Sequence, residues 1–261
     1  MIYYFSATGN TAWVARQLSE ATGERLVNIA QRSDDDSPLE LAPDERLGFC
    51  FPVHGWLPPV IVRRFVHHLS LNARGHYVYI VCTAGDTIGE AAEVFSSDLA
   101  HVGIALDAAF SVLMPNTYVG LPFMDIDRPD LQATKKRQAE ADLKVYISDI
   151  VERRNGGRPL ARGHWPRVNT RILGHAFTRR LITDRPFHVD SARCVKCGIC
   201  ADVCPVGDIQ GGLGYEPQWL HNDSCLTCFA CYHYCPHHAI AYGNRTRHKG
   251  QYFYNRPTRQ K

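Results

Sequence analysis

Eight of the ten cysteines fall into two runs, Cys194-x2-Cys197-x2-Cys200-x3-Cys204-Pro205 and Cys225-x2-Cys228-x2-Cys231-x3-Cys235-Pro236. Each member of the second run lies 31 residues after its counterpart, and Ile209 and Ile240 behind the prolines keep that offset. A short repeat of this kind predicts two similar half-modules packed against each other. Thiolates three residues apart can turn inward from one tight loop, so each run offers three corners of an iron–sulfur cube. The proline fixed behind the fourth cysteine points that thiol away from its neighbours. Two bland readings compete. A disulfide framework needs an oxidising compartment, and zinc sites usually pair widely separated CxxC units. The triple runs closed by Cys-Pro favour iron–sulfur chemistry.

A second candidate site lies at the start of the chain. The apolar run Ile2–Phe5 reads as a buried strand, followed by Ser6-Ala7-Thr8-Gly9-Asn10-Thr11 and a helical pattern with Val14, Leu18 and Ala21 on one face. Strand, tight polar loop and helix start together form an anion site, because backbone N–H groups and hydroxyls converge there. The loop has no lysine and one glycine, so it matches neither GxxxxGK[ST] nor GxGxxG. The bland alternative is an N-cap on an ordinary strand-to-helix turn.

The elements that must position these loops follow in alternation. Arg25–Ile29, Leu47–Phe51, His76–Cys82 and Ala108–Met114 read as further strands, with helices expected over Val60–Leu69, Gly89–Ala100 and Asp127–Arg153. Alternating strands and helices predict a parallel sheet covered on both faces. In such sheets ligands bind beyond the carboxyl ends of the strands. Three loops leave those ends: Ser6–Thr11, Pro52–Pro59 with His54, Gly55 and Trp56, and Thr83–Gly89 with Ala84 and Gly85. The expected order is 2-1-3-4-5. Cys50 and Cys82 sit in strand-like stretches and are read as packing residues.

The first loop resembles the phosphate loop of flavodoxins, (S/T)-x-T-G-x-T, with Ser6, Thr8, Gly9, Asn10 and Thr11 filling its positions. That resemblance implies FMN, held at its 5′-phosphate by neutral donors. It further implies that Trp56 covers one ring face, that the Gly55 peptide contacts N5, and that Thr83, Ala84 and Gly85 run along the pyrimidine edge. Tyr118 is expected near the ring and Pro52 and His54 in the same loop wall; His54 reads as a polar loop residue rather than a catalyst. The cysteine runs resemble bacterial two-cluster ferredoxins. There the fourth cysteine serves the other cluster, which implies one [4Fe–4S] cluster on Cys194, Cys197, Cys200 and Cys235 and a second on Cys225, Cys228, Cys231 and Cys204.

Together the motifs resemble the flavodoxin-plus-ferredoxin fusion family of anaerobic prokaryotes. The implied layout is a flavodoxin-like α/β domain with a doubly wound parallel five-stranded sheet over 1–155, and an arginine-rich connector over 156–183. A small α+β two-[4Fe–4S] ferredoxin domain over 184–243 and a basic aromatic tail over 244–261 follow. The implied function is electron relay between redox protein partners, a ferredoxin or flavoprotein. The alternative is an iron–sulfur flavoenzyme in which cluster-fed FMN reduces a small substrate, with His54 or Tyr118 as the nearby proton donors. Enzyme activity is left open, and no nicotinamide-binding fingerprint is present.

At 261 residues the chain has room for one mid-sized α/β domain and a small module. Its apolar runs fall short of the ~18 residues a membrane span needs, and Met1-Ile2-Tyr3-Tyr4-Phe5 shows no export signal, so a cytoplasmic protein is expected. The formal net charge of +3 argues poorly for nucleic acid, since each cluster with its cysteinates brings about −2. The arginines between 153 and 180 read as a solvated connecting helix, or else as a basic surface for an acidic partner or for the anionic cofactors. Asp34–Asp36 reads as a solvated loop. Tyr252, Phe253 and Tyr254 suggest that the tail docks, and His237 and His238 read as surface residues.

Overall fold

The computed structural model describes residues 1–32 and 39–256. The expected acidic loop at Asp34–Asp36 and the last basic residues, Arg259 and Lys261, lie outside them.

Strands β1 (Ile2–Tyr4), β2 (Leu26–Asn28), β3 (Leu47–Pro52), β4 (Val78–Ala84) and β5 (Ala108–Leu113) form a parallel sheet in the order β2-β1-β3-β4-β5. This is the flavodoxin-like doubly wound order. The strands are near-continuous apolar runs because helices cover both faces; every residue of β4 is buried. Helices α1 (Asn10–Thr22) and α4 (Pro129–Val151) pack Val14, Leu18, Leu143 and Ile150 on one face. Helices α2 (Val60–His67) and α3 (Ala91–His101) pack Val62, Val66, Phe95 and Leu99 on the other. Cys50 and Cys82 are fully buried within these cores, as packing residues are.

One strand exceeds the expected five. Gly156–Gly157, at the start of the expected connector, pairs in parallel with Ala108 and Ala109 as an edge strand, β6. Both glycines take positive φ, 88° and 81°, and any Cβ at Gly157 would collide with the Ala109 backbone. Glycine alone permits that approach.

The connector runs as α5 (Pro166–Val168), a π-helical stretch Asn169–Gly174 and α6 (His175–Arg180). Its basic charge is largely paired internally. Arg154 and Arg158 converge on Asp149, Arg162 reaches Glu93, and Arg167 and Arg171 reach Glu90. The connector stays largely solvated, as expected, its Arg158, Arg162, Arg167 and Arg171 side chains 41–81% exposed even as they reach carboxylates of the first domain.

The C-terminal module contains β7 (Phe187–Val189) paired antiparallel with β10 (Ile240–Tyr242) and a hairpin, β8 (Ile209–Gly212) with β9 (Tyr215–Trp219). Short helices α7 (Ile199–Asp202) and α8 (Ala230–Tyr234) follow the second cysteine of each run and carry the third, Cys200 and Cys231. The 31-residue repeat extends to the backbone: Lys196 and Thr227, Gly198 and Phe229, and Gly207 and His238 all adopt positive φ. The repeated Ile209 and Ile240 are both buried in the module's core. Among the described residues no helix is long and apolar enough to cross a membrane.

Candidate functional site

A cleft of about 220 Å³ opens at the carboxyl ends of the strands. It is lined by Ser6, Thr8, Asn10 and Thr11, by Pro52, His54, Gly55 and Trp56, by Thr83, Ala84 and Gly85, and by Tyr118. Twelve of the thirteen expected cofactor residues therefore meet at one place; Gly9 lies behind the wall they form.

Its geometry fits an anion at the phosphate loop. Gly9 precedes α1 with φ of 92°, and no side-chain cap takes up the first-turn amides of that helix. Those amides are left without a side-chain partner, which favours negative charge there. Ser6 Oγ accepts from the Gly9 amide at 3.2 Å, shaping the turn. Thr11 and Thr83 hydroxyls bond each other at 2.8 Å across two loops.

Asn10, at a free position of the motif, ties the loop to the rest of the protein. Its Nδ2 donates to the Pro115 carbonyl at 3.0 Å and its Oδ1 accepts from the Tyr252 hydroxyl at 2.8 Å, so its side chain is spent on the protein and only its backbone faces a ligand. The tail thus docks on the phosphate loop. The Tyr254 amide donates to the Thr8 carbonyl at 2.8 Å, and a Cβ on Gly9 would sit 2.9 Å from Tyr254 Cβ. The Lys249 ammonium donates to the carbonyls of Val119, Leu121 and Met124, and Arg245 to that of Gly120. Those carbonyls belong to the loop after β5, whose Tyr118, Leu121 and Met124 line the cleft.

The wall after β3 is held from the connector. Trp56, at φ of 59°, donates its indole N–H to Thr87 Oγ1 at 3.0 Å and its carbonyl accepts from Thr170 at 3.2 Å. Phe177 lies over Gly55, where a Cβ would meet the ring at 2.6 Å, and it also packs edge-on against Tyr118. Lys135 ties the Gly85 carbonyl to Asp127, which in turn accepts from the Asn116 amide. Burial lowers the His54 imidazole to about 4, and burial raises the Tyr118 phenol well above its ordinary range.

The cysteines gather across the repeat. Cys194, Cys197, Cys200 and Cys235 line one small cavity of about 20 Å³. Cys204 lies in the electrostatic neighbourhood of Cys228 and Cys231, and Cys225 in that of Cys231. Amides of Asp208, Thr227 and Ala239 donate to the sulfurs of Cys204, Cys225 and Cys235 at 3.3, 3.4 and 3.3 Å. Among the described residues no three His, Cys, Asp or Glu side chains converge as a single metal ion requires; a cube spreads its corners more widely. Burial raises the Cys200 thiol to about 11 and the Cys228 thiol to about 12. Ionised sulfurs here need a cationic partner, which iron supplies.

Leu226, Thr227 and Cys228 also line the cleft that holds the phosphate loop. Sequence reasoning identified Cys228 as a ligand but not as a wall of the other site. It missed Phe177, Leu121 and Met124 as well, because no local motif marks them.

Comparison with known proteins agrees on the C-terminal module: the 4Fe-4S dicluster domain family matches residues 187–236. No curated protein matches the chain. Among solved structures, it is similar to Megasphaera elsdenii flavodoxin in the two-electron reduced state, at 20% identity and TM-score 0.34, over 55% of this chain and 99% of that one. It is also similar to a Streptococcus pneumonia TIGR4 flavodoxin, at 14% identity and TM-score 0.34, over 55% and 96%. An FMN-dependent NADH-azoreductase from Bacillus anthracis str. Ames Ancestor shows 9% identity and TM-score 0.38, over 57% and 98%. At these scores the fold rests on the strand order itself. The chain thus joins a doubly wound sheet of flavodoxin-like strand order to a C-terminal module that matches the 4Fe-4S dicluster domain family over residues 187–236.

Proposed function

We propose that this protein relays electrons between two [4Fe–4S] clusters and a bound FMN, coupling one- and two-electron traffic between redox partners. The observation that carries this reading is the shared wall: Cys228, with Leu226 and Thr227, borders the same cleft as Ser6, Thr8 and Trp56. Ligands Cys194, Cys197, Cys200 and Cys235 are assigned to one cluster, and Cys225, Cys228, Cys231 and Cys204 to the other. FMN is assigned to the cleft, its phosphate at the uncapped start of α1 and its ring between Trp56 and Tyr118. When bound, the clusters supply one-electron transfer and the flavin one- or two-electron transfer.

The protein's own residues set the conditions. Phe177, Leu121 and Met124 give the cleft an apolar lining. Backbone amides at the sulfurs tune the clusters, as hydrogen bonds to cluster sulfurs do. The test is anaerobic quantification of iron, sulfide and flavin on one sample, followed by stopped-flow reduction. Pre-reduced flavin whose absorbance returns, with multiple turnovers, only when a small acceptor is added would favour the enzyme. Folded, reconstituted protein without flavin would remove the relay.

A further inference from the structure

The two cysteine loops are copies of each other in opposite surroundings. In the second, Cys225-Leu226-Thr227-Cys228, Leu226 is 7% exposed and Thr227 is 2% exposed, because both lie against the flavin-type cleft. In the first, Cys194-Val195-Lys196-Cys197, the position equivalent to Leu226 is Val195, 56% exposed, and Lys196 stands in solvent. Around the first loop, Tyr215 is 72% and Leu213 is 85% exposed. Leu213 sits at the hairpin tip bridged to Cys197, and Gly198 leaves so little room that a Cβ there would lie 2.9 Å from the Gly212 carbonyl carbon. An apolar collar is thus fixed rigidly beside the first four cysteines.

We infer that the collar formed by Val195, Lys196, Leu213 and Tyr215 is the docking port for a small acidic one-electron carrier protein. This rests on the relay reading and gives it a direction in space: the second loop faces inward to the cleft and the first faces outward to the partner.

Three observations select that occupant. The side chains that face outward around the first four cysteines, Val195, Leu213 and Tyr215, are 56%, 85% and 72% exposed and form an apolar surface suited to a protein contact. Its lining contains Lys196 and His237 and no carboxylate, which complements an acidic surface. The covered twin at Leu226 shows the same loop closed by an apolar contact to a second redox site. An exposed apolar collar with a charged rim is the anatomy of a transient interface. The step balances simply: the reduced carrier loses one electron, this protein gains one, and no bond forms or breaks.

The test uses full-length protein loaded with its cofactors and, as probe, a small acidic bacterial ferredoxin reduced photochemically. Binding of the oxidised probe is followed by NMR titration at low salt, and the second-order rate of cluster reduction by stopped flow. Leu213→Glu and Lys196→Glu are each expected to weaken binding and slow the reaction about tenfold or more. Electron paramagnetic resonance of both clusters and reduction by dithionite should stay as in the parent. Arg179→Glu, on the exposed face of the connector, should change neither. Unchanged probe binding in both collar variants overturns the port, and a loss in Arg179→Glu alone moves it to the connector. Because binding and cluster reduction are read before any flavin signal, a missing flavin signal with normal collar behaviour would count against the relay and leave the port standing.

Discussion

The chain carries the same cysteine loop twice and uses it in two ways. At Cys225–Cys228 the intervening residues are buried against the cleft, whereas at Cys194–Cys197 they stand in solvent. Spacing, backbone signs and following helices are alike in the two copies. Ligand chemistry therefore does not separate them; what each loop packs against does. Leu226 belongs to the same apolar cluster as Phe5, Phe51 and Ile88 of the first domain, so the second loop is an extension of that core.

The sharpest way to break the comparison is to remove a crossing ligand. Cys204→Ser is expected to cost the inward cluster and about half of the bound iron, and Cys235→Ser the outward one. Iron analysis with paramagnetic resonance distinguishes them, and a loss confined to the outward cluster in Cys204→Ser would undo the crossed assignment. Next in size is the tail. Lys249→Met combined with Tyr252→Phe should weaken FMN binding by about 10- to 100-fold, since buried carbonyls and Asn10 lose charged and hydroxyl donors. Iron content should hold, and flavin fluorescence titration reads the change. Trp56→Ala comes third, with about tenfold weaker FMN retention and iron unaltered; an unchanged affinity would take Trp56 out of the site.

The smallest effect is on pH dependence. Burial depresses the folded-state His54 to about 4, below its ordinary value of 6.5. Between those values the unfolded chain binds the extra proton, so His54 lowers stability as pH falls from 6.5 towards 4 and adds no slope above that window. Thermal melts at pH 7 and pH 5 should therefore show a larger acid loss in the parent than in His54→Gln.

Reading the sequence worked where function is local. The Ser6–Thr11 loop, the turn at Trp56 and the Thr83–Gly85 loop each follow a strand, and strand ends on one edge of a parallel sheet must meet. Reading failed where a contact depends on a distant segment. Asn10 stands at a free position of the loop motif, and nothing near it in the chain marks Pro115 and Tyr252 as the partners of its side chain. The connector arginines are solvated as expected, but no local pattern shows that Asp149, Glu90 and Glu93 pair most of them. The edge strand at Gly156–Gly157 is invisible to strand propensity, because two glycines have no side chains to declare it.

By itself, the sequence determined the cysteine runs of a 4Fe-4S dicluster module, their repeat and the alternation that builds the sheet, because each is a matter of spacing over a few residues. Only the tertiary structure decided which cysteine loop faces the cleft, that Phe177 roofs Gly55, and that Lys249 and Tyr252 hold the loops beneath them. Those choices join residues up to 242 positions apart, and no local pattern encodes a partner that only the packing of two domains brings near.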